Sequence, residues 1–391
     1  MGERRVDWSA LPIELLRSIA EASQDRSDVV RFRSVCASWR SSIPPVRKFL
    51  PFVLPLPYPP GSSRRTFVSH RTFYRFKLLD DVNPNPSTCS SKSCLVKVEE
   101  VGLGLKYLLD PLSNLSLGIP FPKRSNLLDY QVVEVSKEYK LQSIIGRMPI
   151  VGVDKLVLFP DSAWNSSVKD YVIFALSNEG KLAYVKYGKR NWTLVDDLCR
   201  YDDIIAYKGK PYVVDKWGIV SWIDSSMKLI EFSPPIPDFG NQKHLVESRG
   251  ELYVVDRFFD TERRLHHLPK TFTFDVYKLD QECGRWVTVE NLGDRVFILG
   301  KDSSFSVSAS EFSGWKGNCI YLTYEDDKGV FDLETGEIVD FQDWSHPFRL
   351  PPSWLNSNPR LNVGLRPSVL EEMDEPSTRK PSLSNISINI R

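Results

Sequence analysis

The seven residues Gly209, Lys210, Pro211, Tyr212, Val213, Val214 and Asp215 recur as Gly250, Glu251, Leu252, Tyr253, Val254, Val255 and Asp256, an offset of 41 positions. Self-similarity on that scale marks a repeat architecture, because one such unit cannot bury its apolar face alone and must stack on neighbours. A second echo sets Trp192, Thr193, Leu194 and Val195 against Trp286, Val287, Thr288 and Val289, 94 positions on, or two steps of 47. Both offsets fit one four-stranded blade of a β-propeller. Between about Thr66 and Trp354 the chain reads as short β-runs, such as Tyr171 to Leu176, Ile219 to Ile223 and Phe272 to Leu279, separated by Gly, Asn, Asp and Ser turns. Dividing roughly 290 residues by a blade of about 40 to 50 predicts six or seven blades.

A weaker copy runs from Gly317 through Tyr321 to Phe331 and a Thr335–Gly336 turn. In it Phe331 follows Tyr321 by ten residues, as Trp222 follows Tyr212, whereas Tyr277 follows Tyr253 by twenty-four. The extra residues fall within Phe258 to Thr271 and carry Arg263, Arg264, His266, His267 and Lys270. Insertions in repeat folds emerge as loops, often on the binding face, so these five residues are a candidate substrate-binding loop. A solvated, variable loop is the competing reading.

A different period governs the start of the chain. Leu11, Leu15, Leu16 and Ile19 share one helical face after Ser9 as a possible cap, with Pro12 where a first turn tolerates it. Val29, Phe32, Cys36, Trp39 and Ile43 then recur at intervals of three and four, which predicts one continuous second helical stripe ending at Pro44 and Pro45. About 40 residues bury too little surface to be stable alone without a metal, a disulfide or a partner. Packing on the propeller would satisfy that need, and so would a second chain.

The residues that remain exclude more than they assign. Lys and Arg number 51 against 50 Asp and Glu, a net charge of +1, which offers no global field for nucleic acid or an anionic membrane. No apolar run approaches the roughly 20 residues of a membrane helix, and the opening residues lack the pattern of a secretory signal, so an intracellular protein is expected. Cys36, Cys89, Cys94, Cys199, Cys283 and Cys319 lack the paired short spacings of a zinc site and read as reduced thiols. The five histidines, His70, His244, His266, His267 and His346, form no spaced metal-ligand pair, and no phosphate-binding loop precedes a helix. Acidic pairs such as Asp196–Asp197, Asp202–Asp203 and Asp326–Asp327 read as turn residues. No cofactor, no metal and no catalytic residue is therefore expected. A search of the channel for convergent carboxylates or histidines tests that expectation.

Leu11, Pro12, Glu14, Leu15, Leu16 and Ile19, followed by Asp28, Phe32, Arg33, Val35, Cys36, Trp39 and Arg40, resemble the F-box pattern Leu-Pro-x-Glu-Leu-Leu to Val-Cys-x-x-Trp-Arg. Downstream, Leu292 to Gly300, Ser304 to Ser308, Gly314 to Tyr321 and Asp110-Pro111-Leu112 resemble the C-terminal, kelch-like domain of plant F-box proteins. Trp354-Leu355-Asn356 departs from the Trp-Phe-x-Pro with which that family usually closes. The resemblance implies an α+β multidomain chain, a short all-α F-box at 8–47 followed by an all-β kelch-like propeller at 66–358; composition adds a Pro-rich linker at 48–65 and, where Ser, Pro and charge outnumber large residues, a disordered tail at 367–391. It further implies a non-catalytic, substrate-recognition adaptor of a Skp–cullin–F-box ubiquitin ligase in the nucleus or cytoplasm, or else a non-degradative scaffold or transcription-associated binding module. On that reading Leu11, Pro12, Leu15, Leu16, Ile19, Val35 and Trp39 dock the Skp-type linker, while Val29, Phe32 and Cys36 hold the helices together. The propeller then binds an unknown protein substrate.

Overall fold

The computed structural model describes residues 7–21, 26–43, 53–55, 65–78, 93–101, 105–111, 116–120, 130–143, 149–160, 171–189, 191–260, 270–280, 282–312, 314–324 and 327–339. The expected tail, Trp354, most of the Asn83 to Ser93 loop and residues 44–47 of the helical segment lie outside them.

The first described element is a 3-10 turn, Trp8–Ala10, capped by Asp7, whose Oδ1 accepts from the Ser9 amide at 3.0 Å and from its hydroxyl at 2.6 Å; Ser9, expected to cap the following helix, lies inside this turn. Helix α1 is Ile13–Glu21, and the Pro12 carbonyl accepts its first bond, from Leu16 N at 3.1 Å. The expected single second helix is two, α2 (Arg26–Ser34) and α3 (Ala37–Ser42). Cys36 breaks it by taking an extended conformation (φ −159°, ψ 179°) just before α3. The break lets α3 fold back, so that Leu16, Ala20, Val29, Phe32 and Ile43 form one small core with Leu11 and Trp39 packed on it.

The β-region starts earlier than expected. Strand β1 (Val53–Pro55) lies inside the segment read as a linker and pairs with β2 (Arg65–Leu78). Next come β3 (Cys94–Val101), β4 (Leu105–Leu109), β5 (Ser116–Pro120) and β6 (Tyr130–Ser143); β6 flanks β2 on the side opposite β3. Three regular antiparallel meanders follow: β7 (Val153–Phe159), β8 (Val172–Ser177), β9 (Leu182–Lys186) and β10 (Thr193–Leu194); β11 (Tyr201–Tyr207), β12 (Lys210–Asp215), β13 (Val220–Ile223) and β14 (Leu229–Glu231); β15 (Gln242–Ser248), β16 (Glu251–Phe259), β17 (Thr271–Asp280) and β18 (Arg285–Thr288). The last sheet holds β19 (Arg295–Leu299), β20 (Ser304–Ser308), β21 (Cys319–Thr323), β22 (Lys328–Asp332) and β23 (Glu337–Val339). It breaks the meander, because β19 lies between β20 and β21 and runs parallel to β21.

These groups pack face to face in a closed ring, as a propeller requires. Val68, Tyr139 and Leu141 meet Leu156, Leu158 and Ile173; Phe174 and Leu182 meet Ile204 and Val213; Val214 and Val220 meet Leu245 and Tyr277; Val255 and Phe274 meet Phe297, Ile320 and Phe331. The ring shuts where Phe73 and Leu95 of the first sheet pack on Val296, Phe305 and Tyr321 of the last, with Ser93 N donating to Glu311 O at 2.8 Å. Among the described residues the strands form four hydrogen-bonded sheets, β7–β10 continuing the first one through the Tyr139–Leu156 pair. β2 and β6 are the longest strands, spanning 14 residues each.

The repeat that opened the sequence is a two-residue hairpin. Lys208 and Gly209 (φ 44° and 72°) and Arg249 and Gly250 (φ 54° and 78°) are both left-handed at both central positions, the type I′ signature that matches strand twist. Tyr212 and Trp222 are direct cross-strand partners, as their ten-residue spacing implies. In the other two copies the register differs by one residue, with Val254 opposite Tyr277 and Ile320 opposite Phe331.

Candidate functional site

On α1 a residue advances about 100°, so Leu16 and Ala20 share the core face, while Leu15 and Ile19 lie side by side at its edge. Leu16 is 1% exposed, whereas Leu15 and Ile19 are 51% and 47% exposed. Of the seven residues expected to dock a linker, Pro12, Leu15, Ile19 and Val35 (56%) are therefore on the surface, and Leu11 and Trp39 are half-buried. Leu16 needs correcting: it is core, and it holds the surface in place without forming part of it.

Two exposed residues were missed, Trp8 (61%) and Ile13 (42%). The Trp39 indole stacks against Phe32 with ring centroids 4.5 Å apart and donates to the Trp8 carbonyl at 2.9 Å. Trp39 thus fixes the turn that presents Trp8. The only signal available was an isolated Trp three positions before Leu11, outside the helical period.

Guanidinium groups supply what the small core lacks. Arg33 donates to Arg40 O at 2.8 Å and to Ile43 O, Arg40 Nε returns a bond to Arg33 O at 3.0 Å, and Arg17 Nε reaches Ser42 O at 3.3 Å. Carbonyls at the end of α3, which a helix leaves unpaired, are capped by side chains from α1 and α2. Toward the propeller, Arg31 of α2 donates to Val132 O of β6 at 3.5 Å.

That contact stands beside one mouth of the propeller, a cavity of about 1330 Å³ lined by Arg31, Phe159, Tyr207, Gly209, Glu247 and Gly250. The other mouth is a cavity of about 590 Å³, where β7, β11 and β15 begin and β16 and β21 end. The described ends of the basic insertion lie at this second face. They are tied where Asp260 N donates to Lys270 O at 3.0 Å and Phe259 pairs with Thr271. Of the candidate loop residues, Lys270 is exposed; Arg263, Arg264, His266 and His267 lie outside the described residues.

The channel carries titratable groups, and three of its carboxylates pair with cations. Lys155 Nζ sits 2.6 Å from Asp203, Lys140 Nζ 2.8 Å from Asp302 and Arg257 2.7 Å from Asp327. Asp203 also accepts from the backbone of Ile204 at 2.7 Å and Leu245 at 2.8 Å, tying two blades together. Arg257 spends its other nitrogens on Gln242 and Thr271 and lies over the Tyr324 ring at 4.3 Å. His244 is buried, with Nε2 3.3 Å from the Tyr324 hydroxyl; burial, then Arg257 and Lys155, hold its pKa well below the usual imidazole range. Burial raises the Asp302 pKa, with Glu138 adding to it. Among the described residues, no three His, Cys, Asp or Glu side chains are grouped to hold a metal ion. The pairs fasten strands across the centre, a task for which buried charge needs both partners.

Residues 63–336 match the family model described as the KIB1-4 beta-propeller. The match is to that propeller and not to a kelch model, so the kelch-like expectation finds no support in it. Among curated proteins of Arabidopsis thaliana, the chain is 33% identical over 361 residues to a protein named as a candidate F-box protein, At1g65770, covering 88% of this chain and 96% of that one. It is 30% identical to F-box protein At2g26160 (84% and 98% covered) and 31% identical to F-box protein SKIP23 (91% and 97% covered). Solved structures with a likeness include the beta-propeller domain of Myceliophteria thermophila Cps50 (Swd1), 11% identical, covering 62% of this chain and 78% of that chain at a TM-score of 0.27.

Proposed function

We propose, from the premise that this chain belongs to the F-box proteins carrying a KIB1-4 β-propeller, that it is the substrate-recognition adaptor of a Skp–cullin–F-box ubiquitin ligase. The helical module docks a Skp-type linker, the propeller holds a target protein, and the work is done in the nucleus or cytoplasm. One observation carries the reading: Trp8, Ile13, Leu15, Ile19 and Val35 leave apolar surface uncovered on a module too small to spare it. Burying a Leu, Ile or Val side chain contributes roughly 1.5 to 3 kcal/mol, and part of that sum is consumed by the cost of association.

The chain itself supplies no chemistry to the transfer in this mechanism. Its contribution is proximity, since a tethered target meets the charged conjugating enzyme at a high effective concentration.

The test uses the full-length chain and a purified Skp-type linker. Leu15→Asp and Ile19→Asp abolish linker binding while the propeller stays folded, and ubiquitination of a bound partner falls with it. Retained binding by both variants overturns the docking surface. Linker binding without ubiquitination of any captured partner would favour the scaffold instead.

A further inference from the structure

The surface between β11–β14 and β15–β18, at the end of the propeller facing away from the helical module, combines two features that the adaptor's assembly does not use. The first is apolar. Trp217, 60% exposed, and Phe239, 66% exposed, sit edge to face with ring centroids 5.7 Å apart. Leu198, 92% exposed, is held close by, because Lys216 N donates to Arg200 O at 3.2 Å; Ile236 N reaches Trp217 O at 3.3 Å from the other side. Water tolerates single exposed apolar residues, but a connected aromatic group on loop tips marks an interaction site.

The second feature is charge without enough counter-charge. Lys243, Asp256 and Asp275 lie directly opposite one another across β15, β16 and β17. Like charges in facing positions repel and are normally avoided. Lys243 is the one cation in that row; it lies 3.3 Å from Asp256 Oδ1, and the fully buried Asp256 also accepts from Gly240 N at 2.7 Å, so this ammonium is spent on Asp256 and leaves Asp275 to its neighbours. Asp238, exposed one residue before Phe239, accepts from the Tyr277 hydroxyl at 2.5 Å. Burial raises the pKa of Asp275, and the Asp238 carboxylate raises it further. Lys216, the other nearby ammonium, is already bound to Asp202.

We propose that this surface is a docking site for a segment of a partner protein in which a lysine or arginine stands next to a large apolar side chain. The apolar residue would cover Trp217 and Phe239. The cation would be shared by Asp238 and Asp275. Charge complementarity selects this occupant over an acidic one. The proposal rests on the adaptor reading, since it places the target on the propeller face opposite the module that docks the linker.

The experiment titrates the full-length chain, labelled with 5-fluorotryptophan, with N-acetyl-leucyl-arginine amide and follows the Trp217 resonance by fluorine NMR, assigned with Trp217→Phe. N-acetyl-leucyl-norleucine amide and N-acetyl-leucyl-glutamate amide are the controls. The arginine probe shifts Trp217 saturably and loses affinity as salt is raised. Asp238→Asn and Asp275→Asn weaken it by about tenfold together while leaving the midpoint of unfolding in place. Equal binding of the norleucine probe, preference for the glutamate probe or no effect of the two Asn variants overturns the proposal. Linker binding is measured on the same samples. Its loss defeats the adaptor reading and leaves the docking site standing, while a failed titration with linker binding intact defeats the docking site alone.

Discussion

Adjacent leucines on α1 do opposite things. Leu16 is sealed in the core of the module, so Leu16→Ala should cost about 2–5 kcal/mol of local stability, read as a loss of amide protection across α1–α3. Leu15→Ala removes exposed surface and should change that protection by less than about 0.5 kcal/mol, yet weaken linker binding. The period of three and four placed both residues on one helical side, and no spacing rule separates an edge from a centre about 100° apart. Partners beyond the helix decide that, here Val29 and Phe32. His244 was visible only as a histidine without a mate. Its depressed pKa means that the unfolded chain binds a proton the folded one refuses. Stability should therefore fall as pH drops below about 6.5, by up to about 1.4 kcal/mol per pH unit until the folded-state value is reached. Urea midpoints between pH 7 and pH 5 should slope less in His244→Gln than in the parent chain.

At the scale of elements, the hairpins read best from sequence because the turn chemistry is local. Gly209 and Gly250 announce a two-residue turn through their recurrence, and the structure places a type I′ hairpin at each. The break between α2 and α3 was illegible, since the apolar stripe continues across Cys36; Arg33 favours the fold-back by capping carbonyls after it and Arg40 by capping the Arg33 carbonyl before it, contacts that no local period reveals. The last sheet was misread for a similar reason. Residues from Gly317 onward imitate the hairpin copy, while β19 claims the position beside β21. Two glycines separate conformation from space. Gly250 has φ 78° and nothing within 4 Å of an added Cβ, so Gly250→Ala should cost about 1 kcal/mol from backbone strain alone. Gly218 has φ 75°, but its Cβ would stand 2.4 Å from Ile236 Cγ1, so Gly218→Ala should shift the urea midpoint clearly further.

For the whole molecule, the two regimes of period in the sequence correspond to a helical module and a ring of sheets, and Arg31 is a slender tie between them. Module and ring should accordingly differ in cooperativity. Hydrogen exchange should find α1–α3 opening at much lower free energy than β11, β12, β15 and β16, with a Skp-type linker raising protection in α1 and leaving the ring unchanged. Uniform protection across the chain would contradict this. Strand length was not legible, because dividing the chain by an average repeat assumes uniform strands, and β2 and β6 are more than twice the length of β13. The ion pairs of the channel were equally hidden: Lys155 and Asp203 are 48 positions apart, and only closure of the ring brings them together.

The parallel neighbour of β19 has a bearing on how the protein is made. Leu299 meets Leu322 in the finished ladder, 23 positions later in synthesis, and at about 5–20 residues per second the ribosome needs roughly one to five seconds to deliver it. Throughout that pause one flank of a buried, apolar strand is open to water and to any other nascent chain. Chaperone capture should therefore concentrate late in translation, on the stretch that shuts the circle.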